Sequence, residues 1–236
     1  MRRLGVGGRG DVVSRHLRIK ICGVTNVDDA LRAAELGADA VGLNFHPGSP
    51  RFLQPAAAEA ILRTLPVFTR AVVVCVNKPL SEIAYTLQPL ARIQTIQWHG
   101  DSDKREIGTV WPFDLIAAFA VRDAADLAAV SHYLDQCRAV GQVPAAVLVD
   151  AHLPGQHGGT GRTAPWDLLA SFRPGVPLVL AGGLTPENVA EAVRIVRPYA
   201  VDVASGVEEN PRRKDLEKMR RFIANAREAQ ARLTDG

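Results

Sequence analysis

From Arg18 onward the sequence alternates short β-type runs with helical runs, and it does so eight times. The predicted strands cover residues 18–22, 39–45, 70–76, 93–98, 113–119, 145–150, 177–181 and 199–204. The predicted helices cover residues 26–36, 55–64, 80–88, 102–107, 123–139, 165–171, 185–196 and 213–230, and the fourth has the weakest pattern. Such alternation indicates a parallel sheet with crossover helices. Eight units in one domain fit a doubly wound sheet or a (β/α)8 barrel, and their number favours the barrel.

The length of the chain agrees with a single barrel. Its 236 residues match one barrel of about 250 residues, so we expect residues 18–236 to form one domain. Residues 1–17 are rich in Gly and Arg and show no apolar periodicity, which is typical of a disordered or loosely docked extension. An organelle-targeting peptide is the alternative, because this segment is nearly free of acidic residues, but it forms no convincing amphipathic helix.

Charge and cysteine usage exclude several classes of protein. Residues 1–18 contain five arginines and one aspartate, a net +4, so the rest of the chain carries −1 and has no nucleic-acid signature. No apolar run is long enough to span a bilayer. Cys22, Cys75 and Cys137 are odd in number and lack CxxC spacing, which favours reduced thiols in the cytoplasm and no disulfides.

Two predicted strands near the end of the sequence run into small residues. The first ends in Gly182-Gly183, followed by Thr185 as a helix cap and Pro186 at the first helical position. The second ends in Ser205-Gly206. Small residues at such turns let backbone N–H groups approach an anion, and the loops after strands seven and eight form the phosphate site of many barrels. We therefore predict a phosphate cradle, although two ordinary strand-to-helix turns are the simpler alternative.

The first strand carries a lysine and a cysteine on one face. Side chains alternate along a strand, so Lys20 and Cys22 share the inner face of the barrel. Barrel closure puts strand eight beside strand one, and there Asp202 points inward, so we predict a buried Lys20–Asp202 pair. Cys22 is either a small buried hydrophobe or, beside Gly23 at a strand mouth with a lysine below it, a reactive thiolate.

Three further polar residues follow other strands. Arg51 lies in a loop with two Pro-flanked turns, where it serves as a clamp for a carboxylate or as a solvated loop cation. His99 shares a face with Gln97 and either polarises a substrate, tunes Cys22 or bonds only to the rim. Asp150 ends strand six above an apolar lumen, an environment that raises a carboxyl pKa and suits a proton donor; a simple loop cap is the alternative.

The loop after strand six contains a run of glycines. Gly158-Gly159-Thr160-Gly161 is flexible enough to close over a ligand and to present backbone amides to it. His152 and His157 in the same loop are a weak metal signal without a third ligand nearby, and we predict no metal site. We expect Cys75 to serve packing, and Cys137 has no visible role.

An ordered set of motifs resembles the phosphoribosylanthranilate isomerase family of tryptophan biosynthesis, from Arg18 to about Phe222. The motifs are Lys20-Ile-Cys-Gly23, Ser49-Pro-Arg51, Val76-Asn77, Gln97-Trp-His-Gly100, the Asp150 strand end, Gly158-Gly-Thr-Gly161, Leu180-Ala-Gly-Gly-Leu184 with Pro186-Glu-Asn-Val189, and Asp202-Val-Ala-Ser-Gly-Val-Glu208 with Lys214-Asp215. The resemblance implies a (β/α)8 barrel that catalyses an Amadori rearrangement of a phosphosugar without a metal or organic cofactor. Whether the protein is a monomer or a homodimer is left open.

The resemblance also implies roles for individual residues. Cys22 becomes the general base, Asp150 the general acid and Arg51 the partner of the anthranilate carboxylate, and His99 and Asp202 are assigned to the substrate site. Phosphate binding falls to Gly159, Gly182, Gly183, Ser205 and Gly206. Four positions depart from the family pattern, namely Asn44, Trp98, Ala204 and Arg212, and they put details of the phosphate rim in doubt.

Two alternative functions compete with this one. A sister isomerase of histidine biosynthesis performs the same rearrangement on a substrate with two phosphates by means of two aspartates. Cys22 in the base position argues against it, as does the absence of a matching Gly-rich cradle in the first half of the sequence. A non-catalytic phosphometabolite-binding barrel is the other alternative, but a binding protein does not require an acid, a base and a clamp together.

Overall fold

The computed structural model describes residues 16–100, 107, 110–151 and 166–234. Eight parallel strands form a closed barrel in the order β1 to β8. These strands are β1 Arg18–Cys22, β2 Ala40–Asn44, β3 Arg70–Val76, β4 Ile93–His99, β5 Asp114–Ala120, β6 Ala146–Asp150, β7 Leu178–Ala181 and β8 Ala200–Val203. The helices are α1 Val27–Glu35, α2 Pro55–Thr64, α3 Leu80–Leu87, α4 Ala124–Ala139, α5 Trp166–Ala170, α6 Val189–Val196 and α7 Leu216–Thr234.

The barrel closes where β1 pairs with β8. Lys20 is in register with Ala40 of β2 on one side and with Asp202 of β8 on the other. Because all eight strands run parallel, their carboxyl ends lie on one rim. The predicted barrel is therefore confirmed, and the strand bounds agree with the predicted ones to within one residue.

Two layers of apolar side chains hold the barrel together. Ile19 and Ile21 are fully buried between the strands and the helices, as the alternation along β1 predicts. A smaller cluster fills the lumen on the β5–β8 side, formed by Ala118, Ala146, Leu148, Val179, Ala181 and Ala200. Burial of strands on both faces explains their almost continuous apolar sequences.

Two helix starts differ from the predicted ones by more than one residue. Helix α6 begins at Val189, because residues 186–188 form a turn in which the Thr185 hydroxyl accepts from the Glu187 N–H at 3.2 Å. Helix α7 begins at Leu216, because a two-stranded hairpin of β9 Glu208–Asn210 and β10 Arg213–Lys214 precedes it. The predicted helix 102–107 lies outside the described residues apart from Ile107.

Both remaining cysteines pack in the core. Cys75 is 4% exposed, so the packing role predicted for it is confirmed. Cys137, to which the sequence assigned no role, is completely buried on the face of α4 that also carries Val130, Tyr133 and Leu134. Residues at this spacing share one face of a helix.

The beginning of the described chain is already part of the barrel. Leu17 is 2% exposed and belongs to the core, whereas residues 1–15 of the predicted extension lie outside the described residues. Among the described helices, none combines the length and the apolar character that a membrane crossing needs.

Candidate active site

The carboxyl end of β1 carries a buried ion pair. Lys20 Nζ donates to Asp202 Oδ1 at 2.9 Å, and both side chains are 6% exposed. The pair predicted from strand alternation and barrel closure is therefore confirmed. It joins the first strand of the barrel to the last one directly below the mouth.

The Cys22 thiol lies one layer above this pair. A Cβ atom added at Gly42 of β2 would lie 2.7 Å from Cys22 Sγ and 3.1 Å from Lys20 Nζ, so the sulfur and the ammonium group crowd the same point. Burial raises the pKa of Cys22 and Asp202 raises it further, while Lys20 and Lys214 lower it without restoring the ordinary value. Lys20 thus acts in the direction expected from the sequence, but the thiol form is favoured in the free site.

His99 ends β4 and faces the same mouth. Its Nε2 atom lies 2.9 Å from Nε2 of Gln97, which confirms that the two side chains share a face. Burial lowers the pKa of His99 and Lys20 lowers it further, whereas Asp150 and Asp202 raise it to a smaller extent. The imidazole is therefore neutral at pH 7, and it responds to charges on β1, β6 and β8.

Asp150 ends β6 on the same rim as Cys22. Its strand partners are Ala120 of β5 and Ala181 of β7. Below it, Leu148 is 1% exposed within the small lumen cluster, which confirms the apolar lumen predicted from the strand pattern. The role of Asp150 as a proton donor remains a prediction.

Arg51 reaches the mouth from the loop between β2 and α2. Its side chain passes directly over Gly23, where no Cβ atom has room, and it is 21% exposed. Nε and Nη2 donate to the two carboxylate oxygens of Glu208 at 2.7 and 2.6 Å. The sequence predicts a clamp for a carboxylate at Arg51, but it gives no indication of this bidentate partner within the protein.

The two glycine-rich turns lie against each other at one side of the mouth. Gly182 and Gly183 have φ angles of +94° and +62°, a left-handed region that favours glycine. A side chain at Gly206 would collide with the backbone carbonyl of Leu184. The loops after β7 and β8 thus meet as a phosphate cradle requires, and Ser205 opens the short 3-10 turn Ser205–Val207.

Part of the predicted site lies outside the described residues. Gly159 and the other residues of its loop belong to the segment 152–165, and so do His152 and His157. Within the described parts of the chain, no group of three or more His, Cys, Asp or Glu side chains is arranged to hold a metal ion.

Three of the departures from the family pattern have local partners. Asn44 Oδ1 accepts from the His46 N–H at 2.8 Å and holds the start of the Arg51 loop. Trp98 is buried among the helices and donates to the Lys78 carbonyl at 3.0 Å. Arg212 Nη1 donates to the Phe52 carbonyl at 3.2 Å. The residues that depart from the family pattern at these three positions therefore fit the barrel.

Glu208 and Lys214 are polar residues of the mouth to which the sequence assigned no role. Both are buried, at 8% and 5% exposure, and they are bonded to each other at 2.7 Å. The signal available in the sequence is a pair of opposite charges six residues apart, directly after a strand that ends in the cradle.

A closed (β/α)8 barrel with a thiol, an imidazole and a carboxyl group on the rim beside glycine-rich turns is the arrangement of a barrel enzyme with an acid–base site. A family model for N-(5'-phosphoribosyl)anthranilate (PRA) isomerase matches residues 19–225. This chain therefore belongs to the PRA isomerase family.

Individual relatives agree with that assignment. The N-(5'-phosphoribosyl)anthranilate isomerase of Geobacter metallireducens is 45% identical over 213 residues, which cover 89% of this chain and 99% of the relative. The crystal structure of phosphoribosyl anthranilate isomerase from Thermotoga maritima matches with a TM-score of 0.79 at 38% identity, covering 89% of this chain and 98% of that one. A PRA isomerase crystallised in complex with reduced 1-(o-carboxyphenylamino)-1-deoxyribulose 5-phosphate matches with a TM-score of 0.76 at 36% identity and the same coverage.

Proposed function

We propose that this chain converts N-(5'-phosphoribosyl)anthranilate to 1-(2-carboxyphenylamino)-1-deoxyribulose 5-phosphate by an Amadori rearrangement, as a step of tryptophan biosynthesis. Membership in the PRA isomerase family across residues 19–225 carries this proposal. The placement of Cys22 and Asp150 at the carboxyl ends of β1 and β6 supports it, because the rearrangement needs a base and an acid at one mouth.

Asp150 acts first, as the general acid. Its protonated carboxyl group gives a proton to the furanose ring oxygen, the bond between that oxygen and C1 breaks, and the anthranilate nitrogen forms a protonated Schiff base with C1. Its position at the carboxyl end of β6, on the rim above the apolar cluster of the lumen, supports this role.

Cys22 acts second, as the general base. The thiolate removes the proton from C2, and the electrons of the C–H bond form the double bond of an enolamine, which then tautomerises to the ketone. Burial and Asp202 keep the thiol protonated in the free site. The positive charge of the Schiff base above the sulfur, added to those of Lys20 and Lys214, favours the thiolate when the base is needed.

The remaining residues bind and orient the substrate. Arg51 pairs with the anthranilate carboxylate, since a guanidinium matches a carboxylate with two parallel hydrogen bonds. Gly159, Gly182, Gly183, Ser205 and Gly206 present backbone N–H groups, and in the case of Ser205 a hydroxyl, to the phosphate. The neutral His99 and the Lys20-bound Asp202 complete the site by hydrogen bonding to the sugar. The reaction takes place in the cytoplasm, which agrees with the reduced thiols expected from the cysteine pattern.

Growth rescue tests the function in cells. The gene should restore growth of a tryptophan-requiring strain that lacks the isomerase, and it should not rescue a histidine-requiring strain that lacks the sister isomerase. Cys22→Ser and Asp150→Asn serve as matched inactive controls. Rescue of the histidine-requiring strain alone would transfer the chain to the sister reaction, and rescue of neither would favour a binding protein.

A further inference from the structure

The hairpin of β9 and β10 places two buried charges outside the proposed catalytic set. The side chains of Glu208 and Lys214 are 5% and 1% exposed. A buried charge is costly unless partners satisfy it, so the contacts of these two residues indicate what they hold in place.

Glu208 fixes the guanidinium group of Arg51. The two form parallel hydrogen bonds of 2.7 and 2.6 Å through Nε and Nη2, a geometry that sets both the position and the plane of the guanidinium. The side chain of Arg51 also lies against Gly23, next to Cys22. Glu208 takes two of the five N–H donors, so two on Nη1 and one on Nη2 remain for an incoming carboxylate.

Lys214 connects Glu208 to the proposed base. Its Nζ atom donates to Glu208 Oε1 at 2.7 Å, to the Cys22 carbonyl at 2.6 Å and to the Ala204 carbonyl at 3.1 Å, which uses all three ammonium hydrogens. One ammonium group thus joins the end of β1, the end of β8 and the carboxylate that holds Arg51.

The hairpin itself is anchored at both sides. The Lys214 N–H donates to Asp29 of α1 at 2.9 Å, and the Thr25 hydroxyl donates to the Arg212 carbonyl at 2.8 Å.

Burial raises the pKa of Glu208, but hydrogen bonds from Arg51 and Lys214 outweigh it and hold the pKa below its ordinary value. The carboxylate therefore stays ionised between two cations.

We propose that Glu208 and Lys214 are positioning residues that hold the Arg51 guanidinium at a fixed place relative to Cys22, so that the substrate carboxylate is bound with the sugar C2 atom over the sulfur. This inference rests on the proposed function. It adds that the charges alternate from Lys214 through Glu208 and Arg51 to the substrate, and that the clamp depends on the hairpin.

Glu208→Gln tests the inference by steady-state kinetics. The amide still accepts from Lys214, but it cannot accept two bonds from Arg51, so KM should rise about tenfold or more while kcat falls less. The inhibition constant of inorganic phosphate should stay within about twofold of the wild type, because the Glu208 side chain bonds to Arg51 and Lys214 and the substitution leaves the cradle backbone unchanged. Glu209→Gln is the matched control on the neighbouring exposed residue and should leave KM and kcat unchanged.

Two further variants separate positioning from a purely structural role. In an Arg51→Met background, Glu208→Gln should add almost nothing to KM, since Glu208 acts through Arg51. Glu208→Asp keeps the charge beside Lys214 and should recover part of the loss. If the Gln variant does not fold, the Asp variant alone carries the test, and its KM should exceed that of the wild type.

The outcomes also distinguish this inference from the function on which it rests. A wild-type protein that does not isomerise PRA overturns the proposed function. If the wild type is active but Glu208→Gln and Glu208→Asp keep a normal KM, only the positioning role is overturned. The same holds if Glu208→Gln raises KM by the same factor in the Arg51→Met background as in the wild type.

Discussion

Lys20 Nζ and Asp202 Oδ1 lie 2.9 Å apart across the seam where the first strand of the barrel meets the last. Both groups are withdrawn from water beneath the thiol of Cys22, and each is the main compensation for the charge of the other. Neither can be removed without leaving an unpaired charge in the lumen.

This pair predicts a large loss of stability for single substitutions. Lys20→Met and Asp202→Asn should each lower the free energy of unfolding by about 3 kcal/mol, the usual cost of an unpaired buried charge. Arg63→Gln, which breaks the exposed pair with Glu59, should cost under about 1 kcal/mol. Urea unfolding measures the stability of all three variants. If Arg63→Gln cost as much as Lys20→Met and Asp202→Asn, the buried pair would contribute no more to stability than an exposed pair.

Removal of the proposed base or acid should abolish most of the turnover. Cys22→Ser and Asp150→Asn should each lower kcat by about 10²–10⁴-fold, the range typical of a lost general base or acid. Inhibition by inorganic phosphate should remain near the wild-type value, because the cradle is untouched. Cys75→Ala removes a thiol from the core and is the control for loss of a thiol. Near-normal turnover in Cys22→Ser would remove Cys22 from the mechanism, and near-normal turnover in Asp150→Asn would remove Asp150.

The raised pKa of Cys22 predicts slow alkylation at neutral pH. Because burial and Asp202 hold its pKa above the ordinary value of 9.0, the thiolate fraction should still be increasing at pH 9. The rate of inactivation by iodoacetamide should therefore rise about tenfold per pH unit through that range. Burial raises the pKa of Cys75 to about 12, so this thiol should react far more slowly. A rate that levels off below pH 8 would mean that the free enzyme already holds a thiolate.

The lowered pKa of His99 predicts a loss of stability in mild acid. Below the ordinary value of 6.5, the unfolded chain binds a proton that the folded protein does not, so this contribution is complete above pH 6.5 and is lost as the pH falls toward the folded pKa. Urea unfolding between pH 7.5 and 5.5 should show a steeper decline for the wild type than for His99→Gln. Parallel declines would assign the acid sensitivity to other groups.

Gly206 predicts a selective effect on phosphate binding. An added methyl group meets the Leu184 carbonyl, so Gly206→Ala should displace one cradle loop from the other and raise KM about tenfold. Gly141→Ala is the matched control, because its φ of +71° makes alanine strained while no atom lies within 4 Å of the new methyl group. This control should lower stability by about 1 kcal/mol and leave KM unchanged.

Sequence patterns predicted the barrel better than they predicted its loops. Strand bounds and the Lys20–Asp202 pair follow from the two-residue period and from closure, which together determine the register of β1 and β8. The Arg51–Glu208 contact spans 157 residues and depends on a hairpin with no periodic signal. The burial of Cys137 was not predicted, although Val130, Tyr133 and Leu134 precede it at helical spacing in the sequence.

The hairpin also has a consequence for the order in which the protein becomes active. Lys214 bonds to a carbonyl 192 residues earlier in the chain, and Lys20 meets a partner 182 residues later. A nascent chain that has not yet emerged past the hairpin has Cys22, Arg51 and Asp150 but lacks Lys214 and Glu208, which bond to the Cys22 carbonyl and to the Arg51 guanidinium. Turnover should therefore begin only once the last barrel unit docks. During refolding, the recovered activity should measure the fraction of fully folded molecules and not the fraction of compact intermediates.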